Sequence, residues 1–273
     1  MNDALDESPE HPSQPRPRRK GLYMLPNAIT LGALFAGFYA IVMAINGRFE
    51  VACIAVFVAA VLDSLDGRVA RMTNSQSAFG EQMDSLSDMV SFGAAPALIV
   101  YIWALKDLGK AGFIPAFVYI SGAALRLARF NVNIGVVDKR FFQGLPSPAA
   151  AALVIGLVWV VDDAGFKDVS KTAALAWTAF AVTLYAGLSM VTNAPFYSFK
   201  VIGTRRTVPF IMIVGIALAI ALVMLDPPRV LFTIFCVYGL SGYVVYTWRR
   251  MKGKPTSVIA TSTDEPDEQG LHR

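Results

Sequence analysis

Four aspartates in one short stretch of the chain are the residues best suited to carry out chemistry. Asp63 and Asp66 lie three positions apart at the polar end of an apolar segment. Asp84 and Asp88 lie four positions apart at the polar start of the next segment. Residues three or four apart share one face of a helix, so each pair presents two carboxylates together. The linker 74–77 between the two segments allows the pairs to converge.

Converging carboxylates at a membrane interface would repel one another and would be costly to remove from water. Divalent cations relieve this repulsion, and hard oxygen ligands suit Mg²⁺ or Mn²⁺. Two such ions about 3.5–4 Å apart could share the carboxylates and bind a pyrophosphate. The sequence therefore predicts a phosphoryl-transfer site with two metal ions, whose ligands are Asp63, Asp66, Asp84 and Asp88.

Small residues near the aspartates support this interpretation. Gly67, Ala70 and Gly80 leave space for a flat or bulky ligand to approach the backbone closely. Arg71 is placed to meet phosphate oxygens with its planar guanidinium group. The alternative is that the aspartates only mark the polar end of a helix at the membrane surface. One pair alone would favour that alternative, whereas two pairs with glycines at fixed offsets favour a site.

The composition indicates which elements must position these side chains. Of the 273 residues, 55% are hydrophobic and only 16% are charged, whereas soluble domains are about 25% charged. The apolar residues fall in runs of about 17–25, the length that spans a bilayer. We therefore predict an all-α, polytopic transmembrane helix bundle of about eight helices. Its predicted segments are 26–46, 50–72, 82–105, 112–131, 146–162, 172–192, 207–225 and 229–248.

The domain organisation follows from the polar ends of the chain. Residues 1–20 are Pro-rich and charged, and 251–273 are polar with an acidic stretch, so both are predicted to be disordered arms around a membrane domain at 21–250. The two histidines, His11 and His272, lie in these arms. This placement argues against a histidine-based catalytic triad or zinc site, so acid–base and metal chemistry must rest on carboxylates.

The positive charges predict the orientation in the membrane. With eight crossings and the N-terminus in the cytosol, most of the 24 lysines and arginines fall on the cytosolic side. Both termini and the aspartates are then cytosolic, in a multi-pass protein of the cytoplasmic (inner) membrane. The net charge of +4 reflects this topology and contact with anionic membrane lipids, so no nucleic-acid partner is expected.

The aspartates belong to a longer pattern, D-x2-D-G-x2-A-R-x8-G-x3-D-x3-D. It resembles the signature of the CDP-alcohol phosphatidyltransferase family, and every defined position is filled. The resemblance implies a CDP-activated lipid donor, two Mg²⁺ or Mn²⁺ ions, and Asp88 as the general base. It also implies a six-helix core, here with two additional C-terminal helices, and a homodimer. The donor contacts that it implies are Asn27, Thr30, Gly67, Ala70, Arg71, Ser77 and Gly80.

Within the family, further stretches resemble the members that accept serine. They are 91–97, 125–132 and 141–151, to which 190–200 can be added. This resemblance implies transfer of the phosphatidyl group from CDP-diacylglycerol to L-serine, giving phosphatidylserine and CMP. Arg126, Arg129 and Asn131 are the candidate acceptor contacts, since an arginine can bind the carboxylate of serine. Each arginine has the alternative role of anchoring a helix at the cytosolic surface.

Two other functions compete with serine transfer. A sister enzyme would use another acceptor, such as glycerol 3-phosphate, inositol phosphate or choline. A divalent-cation transporter would need acidic or polar groups near the middle of the membrane in several helices. Because the acidic residues cluster at one end of two segments and the other segments are almost free of charge, an enzyme is favoured. We expect serine to enter from the cytosol while the acyl chains stay in the lipid.

Overall fold

The structure is a computed structural model that describes residues 24–132, 141–166, 172–197 and 210–252, which form eight helices and two short strands. The predicted arm 1–20 and nearly all of the tail 251–273 lie outside these ranges. The helices are α1 (Met24–Ile45), α2 (Phe49–Met72), α3 (Ala78–Leu108), α4 (Lys110–Val132), α5 (Ser147–Asp163), α6 (Ala173–Val191), α7 (Phe210–Leu225) and α8 (Pro227–Met251). The strands are β1 (Phe141–Gln143) and β2 (Pro195–Tyr197).

The eight helices coincide with the eight predicted segments, which confirms a helical membrane bundle. Five of them, α1, α3, α4, α6 and α8, are long and apolar enough to cross a membrane. By comparison, α5 and α7 have only 17 and 16 residues, and α2 carries the charged groups of the motif. The chain is thus a multi-pass membrane protein, and the number of crossings stays a prediction.

Small side chains allow the first two helices to approach closely. Five of the seven buried residues of α1 are alanine or glycine, including Ala33 and Ala40. It packs on α2, whose buried face includes Ala52 and Ala59. Helices in a bilayer associate through close packing rather than through loss of water from apolar surface, so small residues favour such a contact.

The fifth helix lies at the centre of the bundle. Most of α5 is buried, and it contacts α2, α3, α6 and α8. Gly156 of α5 leaves space for Phe232 of α8, because a Cβ atom at Gly156 would lie 3.3 Å from the Cα atom of Phe232. This contact holds the last helix against α5, which in turn packs on α2 and α3, the helices that carry the aspartates.

The third helix differs from its predicted segment in both ends and in regularity. It begins at Ala78 rather than at residue 82, because the Oγ of Ser77 accepts a hydrogen bond from the Gly80 N–H at 3.0 Å and caps the helix. The helix widens into a π-helical turn over Met89–Ala94, directly after Asp88. Such turns are frequent at functional sites. The capped start places the second aspartate pair inside regular helix.

The two strands were not predicted, and they are a small addition to the all-α bundle that the sequence predicted. They pair antiparallel, with Phe142 opposite Phe196, and join the start of α5 to the end of α6. Gly144 follows β1 with a left-handed φ of 76°, which favours glycine. A side chain at this position would also collide with the carbonyl groups of Met190 and Thr192. The pairing brings together two of the stretches that resemble serine-accepting enzymes.

Candidate active site

Three of the predicted metal ligands meet where α2 ends and α3 begins. Carboxylate oxygens of Asp63, Asp66 and Asp84 lie within 4.8 Å of one another, and we call these residues the carboxylate cluster. The 3-residue spacing on α2 and the capped start of α3 produce this arrangement, as the sequence predicted. Three oxygen ligands so close together fit a hard divalent cation, which would offset their mutual repulsion.

Asp66 is the most buried member of the carboxylate cluster, with a relative exposure of 4%. Its Oδ2 lies 2.5 Å from the Oγ1 of Thr30, a residue predicted to contact the donor. The same hydroxyl lies 3.1 Å from the Pro26 carbonyl oxygen, so its one proton can be donated to either acceptor. Thr30 therefore positions one of the predicted metal ligands from the first turns of α1.

Asp88 lies beside the carboxylate cluster without belonging to its closest group. It neighbours Asp63, Asp84 and the guanidinium group of Arg126. Its Oδ1 is buried and has no hydrogen-bond partner within the described part of the chain. A buried carboxylate oxygen of this kind is costly to leave unpaired, so it is suited to receive a proton or a ligand. The position is compatible with the predicted role of Asp88 as a base.

Two serines hold α3 against α1 on either side of Asp88. Ser87 Oγ donates to the Thr30 carbonyl at 3.3 Å, and Ser91 Oγ donates to the Ala33 carbonyl at 3.1 Å. Gly37 of α1 lies directly against Ser91 and leaves no space for a side chain. The π-helical turn thus begins where α3 is fixed to α1, and Asp88 lies between these two contacts in the sequence.

The predicted donor contacts lie on α1, at the end of α2 and at the start of α3. Asn27 and Ser77 converge on Gly80, where an added Cβ would lie 3.2 Å from Ser77 Oγ and 3.3 Å from Asn27 Oδ1. Gly67 and Ala70 are half-buried on α2, and Arg71 is exposed on the same helix. The space between Asn27 and Ser77 is therefore open because residue 80 is a glycine and has no side chain. The donor contacts themselves stay predictions.

Arg126 is the predicted acceptor residue that lies nearest to the aspartates. Its Nη1 donates to Ser147 Oγ at 2.9 Å, at the first residue of α5. Its Nε is buried and has no hydrogen-bond partner within the residues that the structure describes. Asp88 is the nearest acidic group to it. The sequence analysis singled out the stretch 141–151, which contains Ser147, but it did not predict the hydrogen bond between Ser147 and Arg126.

Arg129 and Asn131 are engaged in different contacts. Arg129 Nη2 donates to the carbonyl groups of Gln143 and Met190 at 2.9 and 3.1 Å, and its Nη1 donates to that of Val191 at 3.1 Å. The guanidinium group therefore braces the region of the two strands. Asn131 Nδ2 donates to Ser85 Oγ at 3.0 Å, which connects the end of α4 to α3.

Comparison with known proteins identifies the family to which this site belongs. The sequence model of the CDP-alcohol phosphatidyltransferases matches residues 23–185. The chain belongs to the CDP-alcohol phosphatidyltransferase family. This confirms the identification made from the aspartate motif, and the chain is therefore a membrane transferase of phospholipid biosynthesis. Enzymes of the CDP-alcohol phosphatidyltransferase family are metal-dependent, and the carboxylate cluster supplies suitable ligands.

Individual relatives match most of this CDP-alcohol phosphatidyltransferase. The CDP-diacylglycerol–serine O-phosphatidyltransferase of Helicobacter pylori strain J99 is 34% identical over 82% of this chain and 92% of its own length. The enzyme of the same name from Methanocaldococcus jannaschii is 32% identical over 69% of this chain and 82% of its own. A solved structure is also similar, that of Mycobacterium tuberculosis phosphatidylinositol phosphate synthase with CDP-DAG bound. Its sequence identity to this chain is 20%, its TM-score is 0.48, and the match covers 64% of this chain and 88% of that chain.

Proposed function

We propose that this chain transfers the phosphatidyl group of CDP-diacylglycerol to the hydroxyl group of L-serine, giving phosphatidylserine and CMP. The observation that carries the proposal is the position of Asp88, which neighbours both Asp63 and Asp84 of the carboxylate cluster and Arg126, whose Nε is buried. The surroundings of Asp88 thus offer both ligands for a metal-bound pyrophosphate and a cation for a small anionic acceptor. The names of the relatives support serine as that acceptor.

The carboxylate cluster would hold the metal ions. Asp63, Asp66 and Asp84 provide the ligands, and Asp88 lies close enough to Asp63 to complete the set. Bound Mg²⁺ or Mn²⁺ neutralises charge on the pyrophosphate and makes CMP a better leaving group. The hydroxyl group of Thr30 fixes the orientation of Asp66 by the contact described above. Asn27, Ser77, Gly67, Ala70, Arg71 and Gly80 then surround the donor headgroup in this proposal.

The proposed chemical step is an in-line displacement at phosphorus. Asp88 accepts the proton of the serine hydroxyl as the serine oxygen forms a bond to the phosphorus that carries diacylglycerol. The bond between this phosphorus and the CMP oxygen breaks on the opposite side. Asp88 is suited to this role because its Oδ1 is buried and free of protein hydrogen bonds within the described residues.

Arg126 is the better placed of the two arginines to bind the serine carboxylate. Its Nε is without a hydrogen-bond partner among the described residues, whereas Arg129 donates to several carbonyl groups. Arg126 lies next to Asp88, so a carboxylate bound to it brings the serine hydroxyl toward the base. We therefore assign the acceptor contact to Arg126 and propose that Arg129 positions the region of the two strands around it.

An acceptor panel tests this function. The purified protein is supplied with CDP-diacylglycerol, a divalent cation and one acceptor at a time, and CMP release is measured. L-Serine is expected to give the highest kcat/KM among serine, glycerol 3-phosphate, inositol phosphate and choline. Faster release with glycerol 3-phosphate would contradict serine as the acceptor and leave the family assignment intact.

Substitution of Arg126 is expected to weaken serine binding selectively. Arg126→Ala removes a charged hydrogen bond to the carboxylate and should raise the KM for serine by about 10- to 100-fold, since such bonds contribute about 1.5–3 kcal/mol. The KM for CDP-diacylglycerol should change little. Arg68→Ala, which removes an exposed arginine from α2 near the site, is the control and should leave both values unchanged. An equal rise in both KM values for Arg126→Ala would contradict the assignment.

We further propose that the protein lies in the cytoplasmic membrane and crosses it eight times, with both termini and the site in the cytosol. We also propose that it forms a homodimer. In a variant that lacks Cys53 and Cys236, cysteines introduced at Asn46 and Asp163 should react with an impermeant reagent in intact cells. A cysteine at Asn74 should react only with a permeant reagent. The reverse pattern would contradict this orientation.

A further inference from the structure

The π-helical turn of α3 follows Asp88 directly and contains a backbone carbonyl group that lacks its regular donor. In a regular α-helix the carbonyl of Phe92 would accept a hydrogen bond from the N–H of residue 96. Residue 96 is Pro96, which has no N–H to donate. A carbonyl group without a donor is costly inside a membrane, where no water replaces the missing bond. A donor other than the regular one must therefore satisfy this carbonyl.

Tyr119 of α4 supplies such a donor. Its hydroxyl group donates a hydrogen bond to the Phe92 carbonyl oxygen at 2.9 Å. Both residues are buried, with exposed fractions of 0% for Tyr119 and 1% for Phe92. Because water has no ready access to this carbonyl, nothing would take the place of the hydroxyl group if it were removed. The hydrogen bond thus joins α4 to the π-helical turn at its weakest backbone position.

The same two helices also carry the proposed base and the proposed acceptor contact. Tyr119 and Arg126 lie on one face of α4, because seven positions correspond to about two helical turns. Asp88 and Phe92 lie four positions, or about one turn, apart on α3. Arg126 neighbours Asp88, and Tyr119 donates to Phe92. The helices α3 and α4 therefore meet through two polar contacts in succession, and the first of these joins the base to the acceptor cation.

Close packing fixes the part of α4 that carries Tyr119. Gly187 of α6 lies against the backbone of Tyr119, where an added Cβ atom would be 2.8 Å from the Tyr119 Cα. In the π-helical turn, a Cβ atom at Gly93 would lie 3.3 Å from the Cβ of Ala123 on α4. Tyr119 thus has a fixed backbone, from which its hydroxyl group can hold the turn of α3 in place.

We propose that Tyr119 is a positioning residue, which holds the π-helical turn through the Phe92 carbonyl and thereby sets how Asp88 faces Arg126. The proposal rests on the proposed function, because it takes Asp88 as the base and Arg126 as the acceptor contact. Tyr119 itself touches neither substrate. It acts on the rate, because proton transfer requires the base and the serine hydroxyl group to be held within hydrogen-bond reach.

Removal of the hydroxyl group tests the proposal. Tyr119→Phe keeps the buried ring and removes only the hydrogen-bond donor. It is expected to lower kcat about five- to twentyfold, less than the roughly 100-fold that a 1 Å misplacement can cause, because the glycine contacts still hold α4. The KM for CDP-diacylglycerol should not change, since the carboxylate cluster is untouched.

Tyr185→Phe is the matched control. Tyr185 on α6 also donates its hydroxyl hydrogen bond to a backbone carbonyl, that of Gly239 on α8, at 2.8 Å. Its removal therefore costs a hydrogen bond of the same kind between two other helices. The kcat and both KM values of Tyr185→Phe should equal those of the unchanged protein.

Two further measurements separate positioning from a general effect on folding. Calorimetric binding of CDP-diacylglycerol with metal counts the molecules that bind the donor, and kcat is expressed per binding molecule. Replacement of Tyr119 by para-aminophenylalanine restores a hydrogen-bond donor at the same end of the ring. This variant should recover most of the kcat that Tyr119→Phe loses, which an effect of ring packing alone would not produce.

Equal kcat values in Tyr119→Phe and Tyr185→Phe, or no recovery with the para-amino side chain, would overturn the positioning role while serine-dependent CMP release by the unchanged protein persists. A rise in the KM for CDP-diacylglycerol without a fall in kcat would overturn it as well. Absence of serine-dependent CMP release by the unchanged protein would overturn the proposed function, and this proposal with it.

Discussion

Asp63→Ala is expected to reduce CMP release by at least about 10²–10³-fold, the loss that follows removal of one group that stabilises charge in a transition state. Asp63 is a member of the carboxylate cluster and also neighbours Asp84 and Asp88, so its removal affects both the metal ligands and the proposed base. Metal-dependent binding of CDP-diacylglycerol should be lost in parallel. Steady-state CMP release and calorimetric binding of the donor measure the two effects.

Glu81→Ala is the matched control for this substitution. Glu81 is an exposed acid in the first turn of α3, close to Asp84, and it is not a member of the cluster. Its removal also takes one negative charge from this region, so it separates the loss of a ligand from a change in the general electrostatic potential. Turnover of Glu81→Ala should remain within about twofold of the unchanged protein, as is usual for exposed groups. Equal losses in the two variants would contradict the ligand role of Asp63.

Asp88→Asn is expected to separate catalysis from binding. The substitution keeps the shape of the side chain and one oxygen but removes the negative charge and nearly all basicity. If Asp88 accepts the serine proton, turnover should fall by about 10²–10⁴-fold, the usual contribution of a positioned general base. Donor binding with metal should stay near normal, because Asp63, Asp66 and Asp84 retain their mutual contact.

Single-turnover CMP release beside calorimetric donor binding distinguishes the possible roles of Asp88. Parallel loss of rate and donor affinity would show that Asp88 is mainly a metal ligand, as Asp63 is expected to be. Turnover equal to that of the unchanged protein would remove Asp88 from the mechanism. Arg126 remains beside the substituted side chain, so the positive charge of the acceptor site is unchanged in this comparison.

The carboxylate cluster could be predicted from the sequence because its geometry is mainly local. Asp63 and Asp66 are one helical turn apart, and the turn from Thr73 to Ser77 returns the chain directly to Asp84. Helical periodicity and one short connection therefore suffice to place these groups together. The length of the apolar runs likewise predicted all eight helices, because bilayer thickness sets a narrow range for them.

The contacts of the proposed acceptor residues could not be predicted in the same way. Arg129 donates to backbone carbonyl groups at Gln143 and Met190, and backbone carbonyls carry no signal in the residue types. The pairing of β1 with β2 joins segments more than 50 positions apart, each only three residues long. Short pairings of this kind depend on how α5 and α6 are held by the rest of the bundle, so local propensity does not reveal them.

The packing of α8 could not be predicted from the sequence either. A helix that is apolar on all sides gives no indication of which face packs against protein and which faces lipid. On α8, Gly239 and Gly242 are buried, whereas the neighbouring Val237 and Leu240 are exposed. The buried face is decided by Phe196 of β2, which lies against Gly242 so closely that no side chain fits there. Only the structure therefore shows which face of α8 packs against protein.

The most direct test of the central claim follows both products of one reaction in the presence and absence of metal. Purified protein receives CDP-diacylglycerol with a labelled cytidine, labelled L-serine and Mn²⁺ or Mg²⁺, and CMP and phosphatidylserine are measured together. We expect the two products in equal amounts, and neither after the metal is removed with a chelator. Equal product formation in metal-free buffer, or CMP release without phosphatidylserine, would contradict metal-dependent phosphatidyl transfer to serine at the carboxylate cluster.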